Sequence, residues 1–331
     1  MKKKQVKLSI IIATYNSERT LEKCLQSIRQ QNYPQRALEI ILVDGGSTDK
    51  TLAIGKKYQA EIIKKPGVLA EPAKSYGLQR AKGELVADFG SDNILPNKDW
   101  LERLLAPFEE NKKIIASYPL RYTYQPDGRV FNRYVALFGV NDPLPFYLGK
   151  ADRQSYLNDG YQLSGKAKDC GGYYEVTFTP ENLPTVGANG FIIKKEILKK
   201  AQIKPDYYFH IDVVYDLVCQ GFNKFAVVKN SIIHETADSL FSLLRKRSYY
   251  FSTLYLQELA KRRYHLVAKK DYGRLILFII FSLTFIQPLL VGFLGYRKKP
   301  DLAWFVHPLF CFLITLVYAQ GVLKKWLKNN L

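Results

Sequence analysis

The segment Glu84–Pro96 reads ELVADFGSDNILP, an apolar strand-like run with Asp88 inside it and Asp92 at its end. Two carboxylates there are costly unless an opposite charge or a cation offsets them. In open α/β sheets ligands bind beyond the carboxyl ends of strands. Three such ends occur in order here, ATYNSE, VDGGSTD and FGSDN, all polar and two of them carrying Asp. VDGGSTD combines glycines for close backbone approach with hydroxyls at a helix start. That suits the polar groups of a nucleotide, although a helix cap has the same composition.

The elements that must position these residues follow from patterning. KLSIIIAT reads as a buried strand, and SERTLEKCLQSIRQQ has helical spacing with Leu21, Leu25 and Ile28 on one face. Strand EIILVD precedes a helix that Ser47 or Thr48 can cap. AEIIKK, helix EPAKSYGLQRAKG and strand ELVADF complete an alternation that predicts parallel strands covered by helices, a doubly wound sheet. Residues 123–185 are rich in Tyr, Gly, Pro and Asn and weakly periodic, so they read as a long irregular insert of functional or mobile character. Regular patterning resumes with GANGFIIKKEIL, a helix-like IDVVYDLVCQG and strand FAVV.

The chain has 331 residues and a formal charge of +19, from 49 Lys and Arg against 30 Asp and Glu. Such a balance attracts a polyanion: nucleic acid, an anionic bilayer or a phosphorylated substrate. Apolar residues make up 47%, and the 23 Tyr suit clefts or membrane interfaces. Cys24, Cys170, Cys219 and Cys311 are scattered without a CxxC pair, which argues against a disulfide framework or zinc site and for a reducing compartment. The start MKKKQVKLSIIIATYNS superficially resembles a secretion signal, but its apolar run is too short and reads as a first strand.

From Leu240 to Lys270 a long helical pattern interleaves basic residues, Arg245, Lys246 and Arg247 among them, with aromatics. It reads as an amphipathic helix on a membrane surface. Residues 275–294 and 302–323 are uncharged apolar runs of 20 and 22 residues, each matching the ~20 residues that cross a bilayer core. A spanning hairpin is the favoured arrangement. Against it, the connector carries Arg297, Lys298 and Lys299, which the positive-inside rule would keep on the cytoplasmic face. A re-entrant or interfacial hairpin, aided by Pro288 and Pro308, is the alternative. The expected organisation is therefore an α/β domain over 1–238, a basic surface helix over 239–272 and a hydrophobic hairpin with a basic tail over 273–331. The basic residues cluster beside apolar spans and on no nucleic-acid module, so nucleic acid is excluded as a partner.

In this order and spacing, SIIIATYNSERTLEKCLQSIRQQNYP followed by EIILVDGGSTDKT resembles glycosyltransferase family 2, inverting sugar transferases of the GT-A fold. The resemblance covers roughly residues 7–235 and leaves the tyrosine-rich insert and the tail unexplained. It implies that Thr14, Tyr15, Glu18, Asp44, Lys74 and Asp92 border the nucleotide of a nucleoside-diphosphate sugar, with Asp44 accepting a hydrogen bond from the base. It places the family's acidic metal motif at FGSDN, where Gly90 occupies the first acid position and Asp92 remains. Asn93 would offer a neutral oxygen, and Asp88 would share a strand face with Asp92 if the extended geometry persists. His234 is the further ligand the resemblance suggests, for Mg²⁺ or, given a histidine, Mn²⁺.

For the base that takes the acceptor hydroxyl's proton, the resemblance points to Asp212, with Asp216 one helical turn later as the alternate. Gly187, Asn189 and Gly190 of GANG correspond to an acceptor-side turn. Arg245 and Arg247 would neutralise a leaving diphosphate or meet lipid phosphate. The implied reaction is transfer of a single sugar to a lipid-linked or envelope glycan at the cytoplasmic face of the membrane. Synthesis of a polyprenyl-phosphate sugar is one competing reading, and a non-catalytic nucleotide-sugar-binding subunit is another, prompted by Gly90.

Overall fold

Strand β1 (Leu8–Thr14) is buried almost throughout, as the run LSIIIAT requires of a strand covered on both faces. The computed structural model describes residues 7–203, 208–236 and 239–330. The initial MKKKQV and the boundary expected after residue 238 lie outside the described residues. The chain forms two compact units, Met1–Thr123 with Ser164–Glu235, and Tyr124–Leu163 with Thr236–Leu331.

In the first unit β1 is followed by α1 (Glu18–Arg29), which buries Leu21, Cys24, Leu25 and Ile28. Next come β2 (Leu38–Asp44), α2 (Thr51–Lys57), β3 (Glu61–Lys64), α3 (Ala70–Arg80) and β4 (Leu85–Gly90). These four strands are parallel in the order β3-β2-β1-β4, as the alternation predicts. A short β5 (Asn93–Ile94), α4 (Trp100–Glu110) and β6 (Ala116–Tyr122) complete the first segment of this unit.

The second segment of the unit adds β7 (Lys166–Asp169), β8 (Tyr173–Thr177), β9 (Phe191–Lys194), α7 (Lys195–Leu198), α8 (His210–Cys219) and β10 (Lys224–His234). β9 lies antiparallel between β4 and β6, and β10 runs parallel to β6. The β7–β8 hairpin extends the far edge beyond β10, and β5 pairs with β10. The result is the mostly parallel α/β sheet expected, with β9 inserted antiparallel at its centre and β8 and β5 antiparallel to β10.

The stretch 123–185 is not one irregular insert. Its later part supplies the β7–β8 hairpin of the first unit. Its earlier part contributes α5 (Val130–Phe138) and α6 (Pro143–Tyr147) to the second unit. There the basic region is helical from α9 (Leu240–Tyr250) through a π-helical turn over Phe251–Leu256. Two short 3₁₀ turns follow, so the single long surface helix expected to Lys270 is broken after Leu256.

The first apolar run is also broken. It forms α10 (Tyr272–Thr284) and α11 (Ile286–Lys298), bent by 82° at Phe285, whose φ is +62°. Pro288 explains the stop: its ring would clash with the carbonyl four residues back, at Thr284, where α10 ends. The second run lies in a helical stretch, Leu302–Lys328, that is long and apolar enough to cross a membrane; it opens with a 3₁₀ turn over Leu302–Phe305 and continues into α12 (Val306–Asn330). Pro308 sits in the first turn of α12, where a missing N–H is tolerated.

Candidate active site

The ends of β1 and β2 are laced together by side chains. Thr14 Oγ1 donates to Asp44 Oδ1 at 3.1 Å, and the backbone N–H groups of Gly46 and Ser47 donate to Asp44 Oδ2 at 3.0 and 2.9 Å. Ser47 Oγ also donates to Oδ1. A carboxylate offers about four acceptor sites, so the turn already fills those of Asp44. A base N–H would therefore take the place of one of these donors. Asn16 Oδ1 accepts from Thr48 N, and Glu18 Oε2 accepts from Lys50 N, which fixes the entry to α2. Tyr15 is 66% exposed at this strand end. Gly46 has φ +102°, a conformation a side chain would strain.

At the neighbouring strand end β4 stops at Gly90 and the chain turns through Ser91 and Asp92 into β5. There Asn93 pairs with His234 across the β5–β10 ladder, and Asp92 Oδ2 lies 3.4 Å from His234 Nε2. The His234 ring packs against Tyr122 with centroids 5.2 Å apart. Asn93 Oδ1 accepts from Gly90 N at 2.8 Å, while its amide donates to Asn189 Oδ1 at 3.2 Å. Asn189 in turn donates to the Tyr122 hydroxyl at 3.1 Å. The structure thus brings Asp92, His234 and Asn189 of the GANG turn into one constellation.

Gly190, with φ +84°, lies where a Cβ would stand 3.0 Å from the Trp100 ring, and its N–H bonds to the Asp88 carbonyl at 2.9 Å. This packing explains the glycine beside Asn189. Among the described residues no group of three or more His, Cys, Asp or Glu side chains could hold a metal ion by itself. The Asn93 oxygen accepts the Gly90 N–H at 2.8 Å, and the Asp92 carboxylate and the His234 ring face each other at 3.4 Å.

Asp88 belongs to a second, buried cluster. Lys74 Nζ lies 3.0 Å from Asp88 Oδ1 and 3.2 Å from Glu71 Oε1. Glu71 Oε2 accepts from both the backbone N–H and the ring Nδ1 of His210, at 3.0 and 2.8 Å. A small cavity beside them is lined by Lys74, Asp88, Gly187, Tyr208 and His210. At Gly187, with φ +129°, a Cβ would stand 2.9 Å from the His210 ring.

Burial pushes the Asp88 carboxyl upward despite Lys74, and its Oδ2 has no hydrogen-bond partner among the described residues. Burial acts the same way on Glu71, but His210 and Lys74 outweigh it and hold that carboxyl well below the usual carboxylate range. For Lys74, burial is outweighed by Asp88 and Glu71, which hold the ammonium above its ordinary value. The Lys74 charge is therefore spent inside the protein.

His210 is the first residue of α8, so the Glu71 carboxylate caps the helix that carries Asp212 two residues further on. Asp212 is fully buried in the first turn. Asp216 Oδ2 accepts from Gln202 N at 3.2 Å, a structural tie. Neither Glu71 nor Tyr122 stood out in the sequence. The usable signal for Glu71 was its position at the start of a helix opposite an unassigned histidine. In the second unit Arg245 is exposed, whereas Arg247 is 3.7 Å from Asp142 and donates to Asn141 Oδ1 at 3.2 Å.

Comparison with known proteins matches residues 9–173 to the model of glycosyl transferase family 2. The chain is 35% identical over 112 residues to the poly(ribitol-phosphate) beta-N-acetylglucosaminyltransferase TarS of Staphylococcus aureus (strain Mu50), covering 32% of this chain and 19% of that protein. It is 34% identical over 113 residues to a dolichyl N-acetyl-alpha-D-glucosaminyl phosphate 3-beta-D-2,3-diacetamido-2,3-dideoxy-beta-D-glucuronosyltransferase of Methanococcus voltae, covering 32% of this chain and 35% of that one. The chain thus spans only a minor part of these relatives' length. A mannosyltransferase from Pyrobaculum calidifontis, solved with GDP-Man and Mn²⁺, shares the GT-A fold. Its TM-score is 0.56 at 13% identity, over 95% of this chain and 87% of that one.

Proposed function

The chain belongs to glycosyl transferase family 2 through residues 9–173, and from that premise we propose that it transfers one sugar, with inversion, from a nucleoside-diphosphate donor to a lipid-linked or envelope glycan at the cytoplasmic membrane face. The observation that carries this reading is the convergence of Asp92, His234 and Asn189 at the end of β4, beside the laced ends of β1 and β2. The donor nucleotide would lie across Thr14, Tyr15, Glu18 and Asp44.

Asp92 and His234 would hold a divalent cation, Mg²⁺ or Mn²⁺. Two protein ligands suffice for a cation that takes further oxygens from a substrate diphosphate. Bound there, it would neutralise charge on the leaving group. Asp212 is the general base, removing the acceptor hydroxyl proton as that oxygen attacks the anomeric carbon. Glu71 fixes its helix start through His210. Lys74 supports this frame from within. Gly187, Asn189 and Gly190 form the acceptor side, and Arg245 is the exposed basic group of the pair read as phosphate-binding.

The S. aureus and M. voltae relatives, whose names specify a poly(ribitol-phosphate) and a dolichyl-phosphate-linked acceptor, support the acceptor class. The test is release of nucleoside diphosphate by the purified full chain over UDP-, GDP- and dTDP-sugars, with and without Mn²⁺, and with polyprenyl phosphate and glycolipid acceptors. Asp212→Asn is expected to lose ~10²–10⁴ in transfer rate with donor binding unchanged. Nucleotide binding without turnover over the whole panel would establish a non-catalytic binding subunit instead. Transfer to polyprenyl phosphate alone would establish a lipid-phosphate sugar synthase.

A further inference from the structure

We propose that the second unit enters the bilayer from one side only, as a wedge made by the bent α10–α11 pair and the outer face of α12, with no helix crossing. The proposal rests on the reading of the chain as membrane-associated and replaces the spanning hairpin. Its first support is the way both ends of α10–α11 are tied to the same polar segment. At the entry, Asp271 pairs with Lys150 at 2.7 Å and Arg274 donates to the Leu148 carbonyl at 2.8 Å. At the exit, Lys298 pairs with Asp159 at 2.8 Å, and Asp301 accepts from Arg133 at 2.8 Å and from the Tyr124 hydroxyl at 2.6 Å. All of these partners lie within 124–163. Crossing would carry one set of ion pairs through hydrocarbon to the far face.

Geometry agrees. Each helix of the pair has 13 residues, so each leg is ~20 Å long. At a bend of 82° the apex at Phe285 stands roughly 13 Å off the line joining the ends, near one leaflet of a ~30 Å core. Around that apex Leu283, Phe285, Ile286, Leu289 and Leu290 are exposed.

α12 is long enough to span, but one side of it is committed to protein along its length. His307 is buried between the Tyr134 and Tyr147 hydroxyls, each 2.9 Å from a ring nitrogen. Tyr318 donates to Asp142, and Lys325 donates to the Leu256 carbonyl at 2.6 Å. The opposite face exposes Leu309, Leu316 and Leu323, a stripe at seven-residue spacing that the exposed Leu302 of the preceding 3₁₀ turn continues. A helix seated on polar-tethered elements and apolar on its outer side lies in the plane of an interface.

The occupant is an anionic lipid surface, and charge argues for it. Lys269, Lys270 and Arg274 border the entry, Arg297 and Lys298 the exit, and Lys324 and Lys328 the tail, and all are exposed. One-sided insertion keeps every group on the same face, which removes the conflict with the positive-inside rule.

The test uses the full chain with Cys170→Ser and Cys219→Ser and a single new cysteine: Arg297→Cys, Lys328→Cys, or Lys57→Cys as the reference on the first unit. Each is labelled with an impermeant maleimide in sealed spheroplasts and in inside-out vesicles. All three are expected to label from the same side. Labelling of Arg297→Cys from the opposite side means that α10–α11 crosses, and labelling of Lys328→Cys from the opposite side means that α12 crosses; either overturns the proposal. Recovery of the chain in the soluble fraction without detergent, as a dimer or otherwise, overturns the membrane reading itself. As a second measurement, Ile286→Asp with Leu290→Asp is expected to weaken co-sedimentation with phosphatidylglycerol vesicles roughly tenfold or more. Unchanged sedimentation would also overturn the wedge.

Discussion

Replacing Lys74 by Met tests the buried network most sharply. Lys74 is the ammonium between Asp88 and Glu71, at 3.0 and 3.2 Å, with its side chain only 10% exposed. Met fills similar space but leaves Asp88 without its counter-charge, whereas Glu71 keeps His210. Removing one member of a buried ion pair costs about 3–5 kcal/mol, or roughly 6–20 °C in melting temperature at about 2–4 °C per kcal/mol for a domain of this size. Burial already raises the Asp88 carboxyl, so its ionised form costs stability above the folded pKa, and that cost disappears as pH falls through it. The deficit of Lys74→Met must therefore shrink on acidification toward pH ~5, before carboxyls near their ordinary values protonate. Adding Asp88→Asn must recover part of the loss at neutral pH. Thermal unfolding of the full chain in detergent, followed by tryptophan fluorescence from pH 8 to 5, measures both effects. A single variant within about 1 °C of wild type, or a double variant as unstable as the two single losses summed, would refute the assignment of Asp88 to Lys74.

Glu71→Gln should destabilise at neutral pH and converge on wild type in acid. A carboxyl held low contributes stability that is complete above its unfolded value of about 4.3 and lost as pH falls toward the folded value; a pH series of melting curves measures this. Gly190→Ala, at φ +84° and against Trp100, should cost about 1–3 kcal/mol in chemical denaturation. Gly90→Ala puts a methyl against Asp92 Oδ1 and should turn that carboxylate away. Its expected signature is an altered Mn²⁺ dependence of donor binding with little change in melting temperature.

The fold was legible in the sequence where periodicity was strong. Leu21, Leu25 and Ile28 lie buried on one face of α1, and LSIIIAT and EIILVD pair in parallel. It was illegible where local pattern yields to tertiary partners. β9 pairs with β4 and β6, both remote from it in sequence, and α5 buries Phe131, Tyr134 and Val135 inside a stretch read as irregular. The break at Phe285 was foreshadowed by Pro288, but hydropathy alone counts the run as continuous. Within the site, His234 and Asp92 were each visible as residue types, and their pairing needed the β5–β10 ladder. Glu71 was invisible because its partner is 139 residues away.

Asp88 and Asp92 illustrate why spacing underdetermines a site. Extended geometry would place positions 88, 90 and 92 on one face and let both carboxylates share a cation. β4 ends at Gly90, however, and the turn through Ser91 and Asp92 ends that alternation. One acid lies in the strand interior, where the cation it meets is Lys74; the other lies beyond the strand end, where it meets His234. The glycine at position 90 serves this division. Its missing Cβ leaves the space that the Asp92 carboxylate occupies, and its N–H orients Asn93 toward Asn189. Any side chain at position 90 would have to displace the Asp92 carboxylate to fit, so the glycine there and the seat of Asp92 beside His234 depend on one another.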